Sequence, residues 1–208
     1  DRLVWQQVAG GSFHTAEHWV PQQTPTASDT IAFSNDGAYT VELFTPGVAN
    51  RAEFDRGQVT LTGSELSLEE TLLSDPVRSL MVGTLLTSPA ELRLSSIFLN
   101  TTHSAIGRDA NTDGRLRIDG SLGPTGWQDL GRVSVGLNGM GLLDISNNGS
   151  ASAAEARIGD NAGSMGSVTV TGSPIADKGG LVHWSTGSTA IGFSGDGINT
   201  KRLTEGRF

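Results

Sequence analysis

The sequence predicts an all-β chain built as a solenoid of stacked parallel coils, with an atypical segment closing its first coil. Three observations lead there: a high glycine content, a hydrophobic-glycine phrase that keeps returning, and short apolar alternations at a steady distance behind it. Glycine supplies 28 of the 208 residues, well above its usual share of ~7%. Gly, Ser, Thr and Asn interrupted by brief Val, Leu or Ile groups describe short strands between tight turns, and they leave little room for long helices.

The phrase is a β-branched residue followed directly by glycine. It occurs as Val82-Gly83, Ile106-Gly107, Val135-Gly136, Ile158-Gly159 and Ile191-Gly192, at intervals of 24, 29, 23 and 33 residues. A second apolar anchor follows each one: Leu94, Ile118, Ile145, Val170 and Leu203, at distances of 12, 12, 10, 12 and 12 residues. Most second anchors end an alternation, as in Leu92-Arg93-Leu94, Leu116-Arg117-Ile118, Leu143-Asp144-Ile145 and Val168-Thr169-Val170. Apolar residues at i and i+2 with a polar one between describe a strand with one buried face. The glycine behind each first anchor permits a corner with positive φ that a branched residue resists.

A unit of this length holds two or three short strands, too few to close a core of its own. Stacking like units buries each inward row against the next, and the hydrogen bonds then run between coils. At ~4.8 Å per coil the array from about residue 55 would form a rod of ~30 Å. The longer intervals, 120–131 and 171–187, are expected to be corner loops. A sandwich of antiparallel hairpins is the alternative, because it also turns every ~8–12 residues. Residues 1–54 are expected to form the cap, with Trp5, Phe13, Trp19 and Phe33 covering the exposed first coil, and residues 55–208 the array.

Charge and composition exclude several functions. The net charge of -8 and the presence of only two lysines, Lys178 and Lys201, argue against nucleic acid, whose phosphates require clustered cations. An anionic membrane surface is disfavoured for the same reason. The absence of cysteine removes disulfides and thiolate metal sites, and no apolar run approaches the ~20 residues of a membrane span. The chain opens on Asp1 and closes on Arg207-Phe208, as expected of a trimmed product or a piece of something longer.

Segment 134–170, from Ser-Val-Gly-Leu-Asn-Gly-Met-Gly-Leu-Leu-Asp-Ile-Ser-Asn-Asn-Gly to Ile-Gly-Asp-Asn-Ala-Gly-Ser-Met-Gly-Ser-Val-Thr-Val, resembles the repeat shared by autotransporter (type V secretion) passengers and PEP-CTERM exported proteins. Gly126-Trp127 and Trp184 stand where that pattern places a Gly-x-x-Trp phrase. The opening, with Gly10-Gly11-Ser12-Phe13, His18-Trp19 and Tyr39-Thr40-Val41, is similar to the start of such proteins. The resemblance is clearest over 104–197. It implies export, a cell-surface or secreted bacterial location and a right-handed parallel β-helix, and it carries no catalytic motif. Neither the autotransporter barrel nor the PEP-CTERM sorting tail is among these residues, so it leaves the export route open.

The sharpest local motif is Asp109-Ala110-Asn111-Thr112-Asp113-Gly114, the opening of a calcium loop. Oxygen ligands at alternate positions converge there because glycine turns the chain about a hard cation. Asp109, Asn111 and Asp113 are the candidate ligands, with Asp119 in place of the bidentate glutamate, because the expected position holds Gly120. A plain repeat turn is the alternative, since Asn138-Gly139-Met140-Gly141 fills the same place in the next unit. Asn35-Asp36-Gly37 and Gly195-Asp196-Gly197 read as turns. His14 and His18 have i, i+4 spacing without a complete HExxH.

The expected function is a non-catalytic structural or adhesive module. Its partners would be surface glycans or neighbouring copies, including end-to-end homo-oligomers through open strand edges. Arg93, Arg117, Arg157 and Thr169 are expected on one outward face. The rival is a carbohydrate-active β-helix enzyme of the lyase or glycosidase type. It would use Arg108 with Asp109, or Arg115 and Arg117 with Asp119, beside the 120–131 or 171–187 loop.

Overall fold

The computed structural model describes residues 1–70, 78–85, 89–171, 183–191 and 199–204. The fold is all-β, a curled and mostly parallel sheet system, and no α-helix occurs among the described residues. Eight strands form one parallel sheet: Gly11–Ser12, Ala38–Leu43, Gly57–Gly63, Ala90–Ser95, Asp113–Asp119, Met140–Ser146, Met165–Thr171 and Asn199–Thr204. A twelve-stranded sheet holds the rest and divides into two columns. One stacks Arg2–Trp5, Thr30–Phe33, Arg51–Phe54, Leu80–Val82 and Ser104–Ile106. The other stacks Gly47–Ala49, Glu65–Leu68 and Phe98–Thr101. The long strands Thr125–Val135, Gly149–Ile158 and His183–Ile191 run through both columns.

The anchors meet as the repeat predicts. Val82 pairs with Ile106, Ile106 with Val135, Val135 with Ile158, and Ile158 with Ile191. Leu94 pairs with Ile118, Ile118 with Ile145, Ile145 with Val170, and Val170 with Leu203. The antiparallel alternative is overturned, because sequence neighbours joined by short turns do not pair with each other. Most outward and inward positions alternate, and Leu92, Leu94, Leu116, Ile118, Leu143 and Ile145 are fully buried.

The corner glycines explain the phrase that marks them. Gly83, Gly107, Gly136 and Gly159 have φ of 79, 67, 76 and 67°. Each N–H continues the ladder to the preceding row: Gly136 donates to Ile106 O at 2.7 Å and Gly159 to Val135 O at 2.9 Å. A second glycine closes the same corner. A Cβ on Gly141 would lie 2.1 Å from the Gly136 nitrogen and 2.5 Å from Ile106 O, so the two chain segments touch backbone to backbone.

The N-terminal residues form an aromatic plug. Trp5, Phe13, Trp19 and Phe33 are fully buried. Trp5 meets Trp19 edge-on at 5.0 Å, Trp19 meets Phe33 at 5.7 Å, and Phe33 stacks on Phe54 at 4.7 Å. Trp19–Val20 returns antiparallel against Arg2–Trp5 and covers the edge of an otherwise parallel sheet, where open N–H and C=O groups would invite pairing. Parallel pairing runs across residue 54: Thr30–Phe33 pairs with Arg51–Phe54, and Ala38–Leu43 with Gly57–Gly63.

Two expected loops need correction. Residues 125–131 belong to the strand Thr125–Val135, whose pairing slips once between Asp129 and Arg132. Thr125, Trp127 and Asp129 face inward there, each 2% exposed. A tryptophan and a carboxylate at inward positions disguise the period-2 pattern. The strand His183–Ile191 likewise takes the end of the expected 171–187 loop; residues 172–182 and the Gly195-Asp196-Gly197 turn lie outside the described residues.

Candidate binding faces

The outward side of the eight-stranded sheet carries the charges that the alternation places there. Thr60, Arg93, Arg117, Asp144 and Thr169 stand in one row of paired positions. Arg157 does not join them. It directly precedes the first anchor Ile158, lies in the other sheet and pairs with Ser134. A depression of about 380 Å³ lies over this face, lined by Thr60, Arg93, Arg117, Asp119, Asp144 and Ser146.

Opposite charges meet along and across the strands on this face. Arg93 Nε lies 2.5 Å and Arg117 Nε 3.2 Å from Glu91 Oε1. Asp144 Oδ2 sits 3.2 Å from Arg115 Nε and 3.6 Å from Arg117 Nε. Burial pushes the Asp119 carboxyl up, but hydrogen bonds from Asn147 Nδ2 at 3.0 Å and the Ser121 N–H at 2.9 Å hold it below the usual carboxylate range. The surface is a ladder of cancelling charges rather than a field of one sign.

The structure places the four predicted calcium ligands in two places. Asp109 lies in the turn before the strand, with Arg108 Nη1 3.6 Å from its Oδ2. Asn111 takes φ of 62°, and Asp113 is exposed at the strand's start. Asp119 ends the same seven-residue strand, six steps or ~20 Å beyond Asp113. The turn is closed by Thr112, whose buried hydroxyl shares its one proton between Asp109 O at 2.7 Å and Gly83 O at 2.9 Å. Among the described residues no group of three or more His, Asp or Glu side chains is arranged to hold a metal. His14 Nε2 lies 3.3 Å from Pro46 O, and His18 Nδ1 2.8 Å from Ser12 O, so the two rings serve separate carbonyls.

Two further polar networks escape a reading by motif. On the twelve-stranded sheet, Glu155 bridges Arg157 Nε at 2.6 Å and Arg132 Nε at 3.1 Å. The Arg157 hydrogen bond holds the Glu155 carboxyl below its ordinary value. Deeper, Asp129 Oδ2 accepts from Ser104 Oγ at 2.5 Å and Thr101 Oγ1 at 2.8 Å, while the Gly131 N–H donates to Oδ1 at 2.8 Å. Trp127 Nε1 donates to Thr101 Oγ1 at 3.0 Å. Desolvation dominates these bonds and pushes the Asp129 carboxyl up. The alternation Thr125-x-Trp127-x-Asp129 was the one signal for this network in the sequence.

No helix among the described residues is long and apolar enough to cross a membrane. Comparison with protein-family models, with curated proteins and with solved structures finds no match to this chain.

Proposed function

We propose that the chain is a right-handed parallel β-helix serving as a non-catalytic structural or adhesive module of an exported bacterial surface protein. The in-register parallel stacking of anchors from distant repeats supports the solenoid, and parallel crossovers are right-handed in ~98% of cases. The resemblance of segment 134–170 to autotransporter and PEP-CTERM repeats supports export.

The observation that carries the non-catalytic reading is the state of the outward carboxylates. A glycosidase or lyase needs a carboxyl kept protonated near neutral pH or a free base beside a cleft. Glu91, Asp144 and Glu155 are instead held in arginine pairs, and Asp119 and Glu155 are held below their ordinary values. Asp129 shifts upward, but it is 2% exposed and both oxygens are engaged. Arg115 and Arg117, the imagined catalytic partners of Asp119, lie against Asp144 and Glu91.

The test combines location with turnover. Intact cells of the source organism are shaved with protease and the chain is followed by antibody, while purified protein is incubated with polysaccharides and assayed for new reducing or unsaturated ends. Loss of the antibody signal without product formation is the expected result. Protection from protease until lysis would overturn surface exposure, and released products would overturn the non-catalytic reading.

A further inference from the structure

A second outward face differs in chemistry from the charged one. The strands Glu65–Leu68, Phe98–Thr101, Thr125–Val135, Gly149–Ile158 and His183–Ile191 stack so that Ser67, Asn100, Gln128, Ser152 and Ser185 stand side by side. At ~4.8 Å per row this polar stripe is ~19 Å long. The adjoining row holds Glu65, Phe98, Gly126, Ser150 and His183. Phe98, Asn100, Gly126, Gln128, Ser150 and Ser152 from these two rows line a depression of about 340 Å³.

Phe98 is 50% exposed although it belongs to a strand in the middle of a sheet. Its position depends on a glycine: a Cβ on Gly126 would lie 2.9 Å from Phe98 Cδ1 and 3.0 Å from Cε1. The ring therefore leans across the next strand into space a side chain would fill, with half its surface left to solvent. Beside it the polar groups are uncharged and bifunctional. Asn100 Nδ2 donates to Glu65 Oε1 at 2.8 Å, and Ser67 Oγ donates to the same oxygen at 2.9 Å, which fixes the amide and occupies the single nearby carboxylate. Gln128 and Ser152 have no side-chain hydrogen bond among the described residues.

We infer that this face binds an uncharged polysaccharide of pyranose units lying along the stripe. One face of a pyranose presents C–H bonds of partial positive charge, the complement of the negative face of an aromatic ring. Its hydroxyls each donate and accept, as do the Gln128 amide and the serine hydroxyls. A polyanion or nucleic acid would need cations beside the ring, and among the described residues none lines the depression. A protein partner is disfavoured because stable interfaces centre on a larger apolar cluster, and here a single ring is offered. The inference rests on the adhesive reading of the module and names the ligand class it would hold.

The test is affinity electrophoresis of the folded chain through gels containing hydroxyethylcellulose, galactomannan or dextran, with alginate as the polyanion. Retardation in at least one neutral gel and none in alginate is expected. Phe98→Ala should weaken that retardation at least tenfold and Gln128→Ala severalfold, both in a chain that still unfolds in one cooperative transition because neither side chain belongs to the buried core. Phe98→Trp should keep it, and Arg117→Ala, on the other face, should leave it unaltered. Free migration in all three neutral gels, or retardation that survives Phe98→Ala, would overturn the inference. Protease shaving, which tests surface exposure, is read independently of these gels.

Discussion

The two outward faces of the sheets are built on the same spacing and hold their polar groups in opposite ways. Over the strands Ala90–Ser95, Asp113–Asp119 and Met140–Ser146, arginines and carboxylates within a row and from neighbouring rows cancel one another within 2.5–3.6 Å. Over Phe98–Thr101, Thr125–Val135 and Gly149–Ile158, an aromatic ring stands half in solvent beside an amide and a hydroxyl that have no partner among the described residues. Stacking alone thus dictates neither an inert nor a binding surface. A closed ladder of ion pairs steadies its own strands, whereas a solvated amide and hydroxyl beside a half-exposed ring leave their hydrogen bonds open to exchange.

The comparison is broken most severely at the corner between residues 133–135 and Met140–Ser146, which every row depends on. Gly141→Ala forces a Cβ into the Gly136 backbone, and the expected loss is at least about 3 kcal/mol in urea unfolding, with both faces lost in one transition. A cost near zero would mean the corner yields freely. Next comes Asp129, which lies behind the Phe98 face. Asp129→Ala leaves three donors without an acceptor and should cost about 2 kcal/mol, weakening neutral-glycan retention but not the charged ladder.

Asp129 also has a pH signature. Its folded value stands above the ordinary 3.8, so the folded chain keeps the proton to higher pH than the unfolded one. The stabilisation is full below the ordinary value and is lost as pH rises through the raised one. Asp129→Asn should flatten that decline, and a melting profile from pH 3 to pH 7 reads it; an unchanged slope would assign the decline elsewhere.

Smaller effects sharpen the contrast from the charged side. Glu91→Gln removes the carboxylate shared by Arg93 and Arg117 and should cost ~0.5–1 kcal/mol. The difference should vanish in 1 M salt, and polysaccharide retention should stay unchanged. Smallest is the effect of calcium. With Asp119 a strand's length from Asp109 and Asp113, millimolar calcium against EDTA should leave the melting temperature where it was. A clear rise would place an ion in the 109–113 turn.

The ladder of anchors was legible because Val82, Ile106, Val135 and Ile158 each precede a glycine that only a sharp corner requires, and because the second anchors follow at nearly fixed distance. Parallel pairing then comes from equivalence between repeats, without knowledge of any corner. The strand through 125–131 was not legible, since Trp127 and Asp129 stand inward where the pattern elsewhere puts Leu, Ile or Val. Asp129 is tolerated there because Thr101, Ser104 and Gly131 meet it, and two of those three come from the row before. The Phe98 face was invisible for a related reason. Asn100, Gln128 and Ser152 are 28 and 24 residues apart, and nothing in their neighbours marks them as adjacent. The calcium motif shows the converse: four residues close in the chain, of which a straight strand carries Asp119 away from the turn.

Register across the rows is kept while the corners differ in length, since the interval between first anchors runs from 23 to 29 residues over the stretch from Val82 to Ile158. Walls and corners are therefore under separate rules of inheritance. A lineage can insert, delete or rewrite residues at a bend such as 120–124 and leave every anchor seated, whereas one residue added inside Asp113–Asp119 would turn its inward side out. Duplication of a whole unit would extend the polar stripe by one row and alter nothing above or below it. Reach along a ligand can then evolve by copy number, and selectivity by single exchanges beside Phe98, each without reopening the question of how the chain folds.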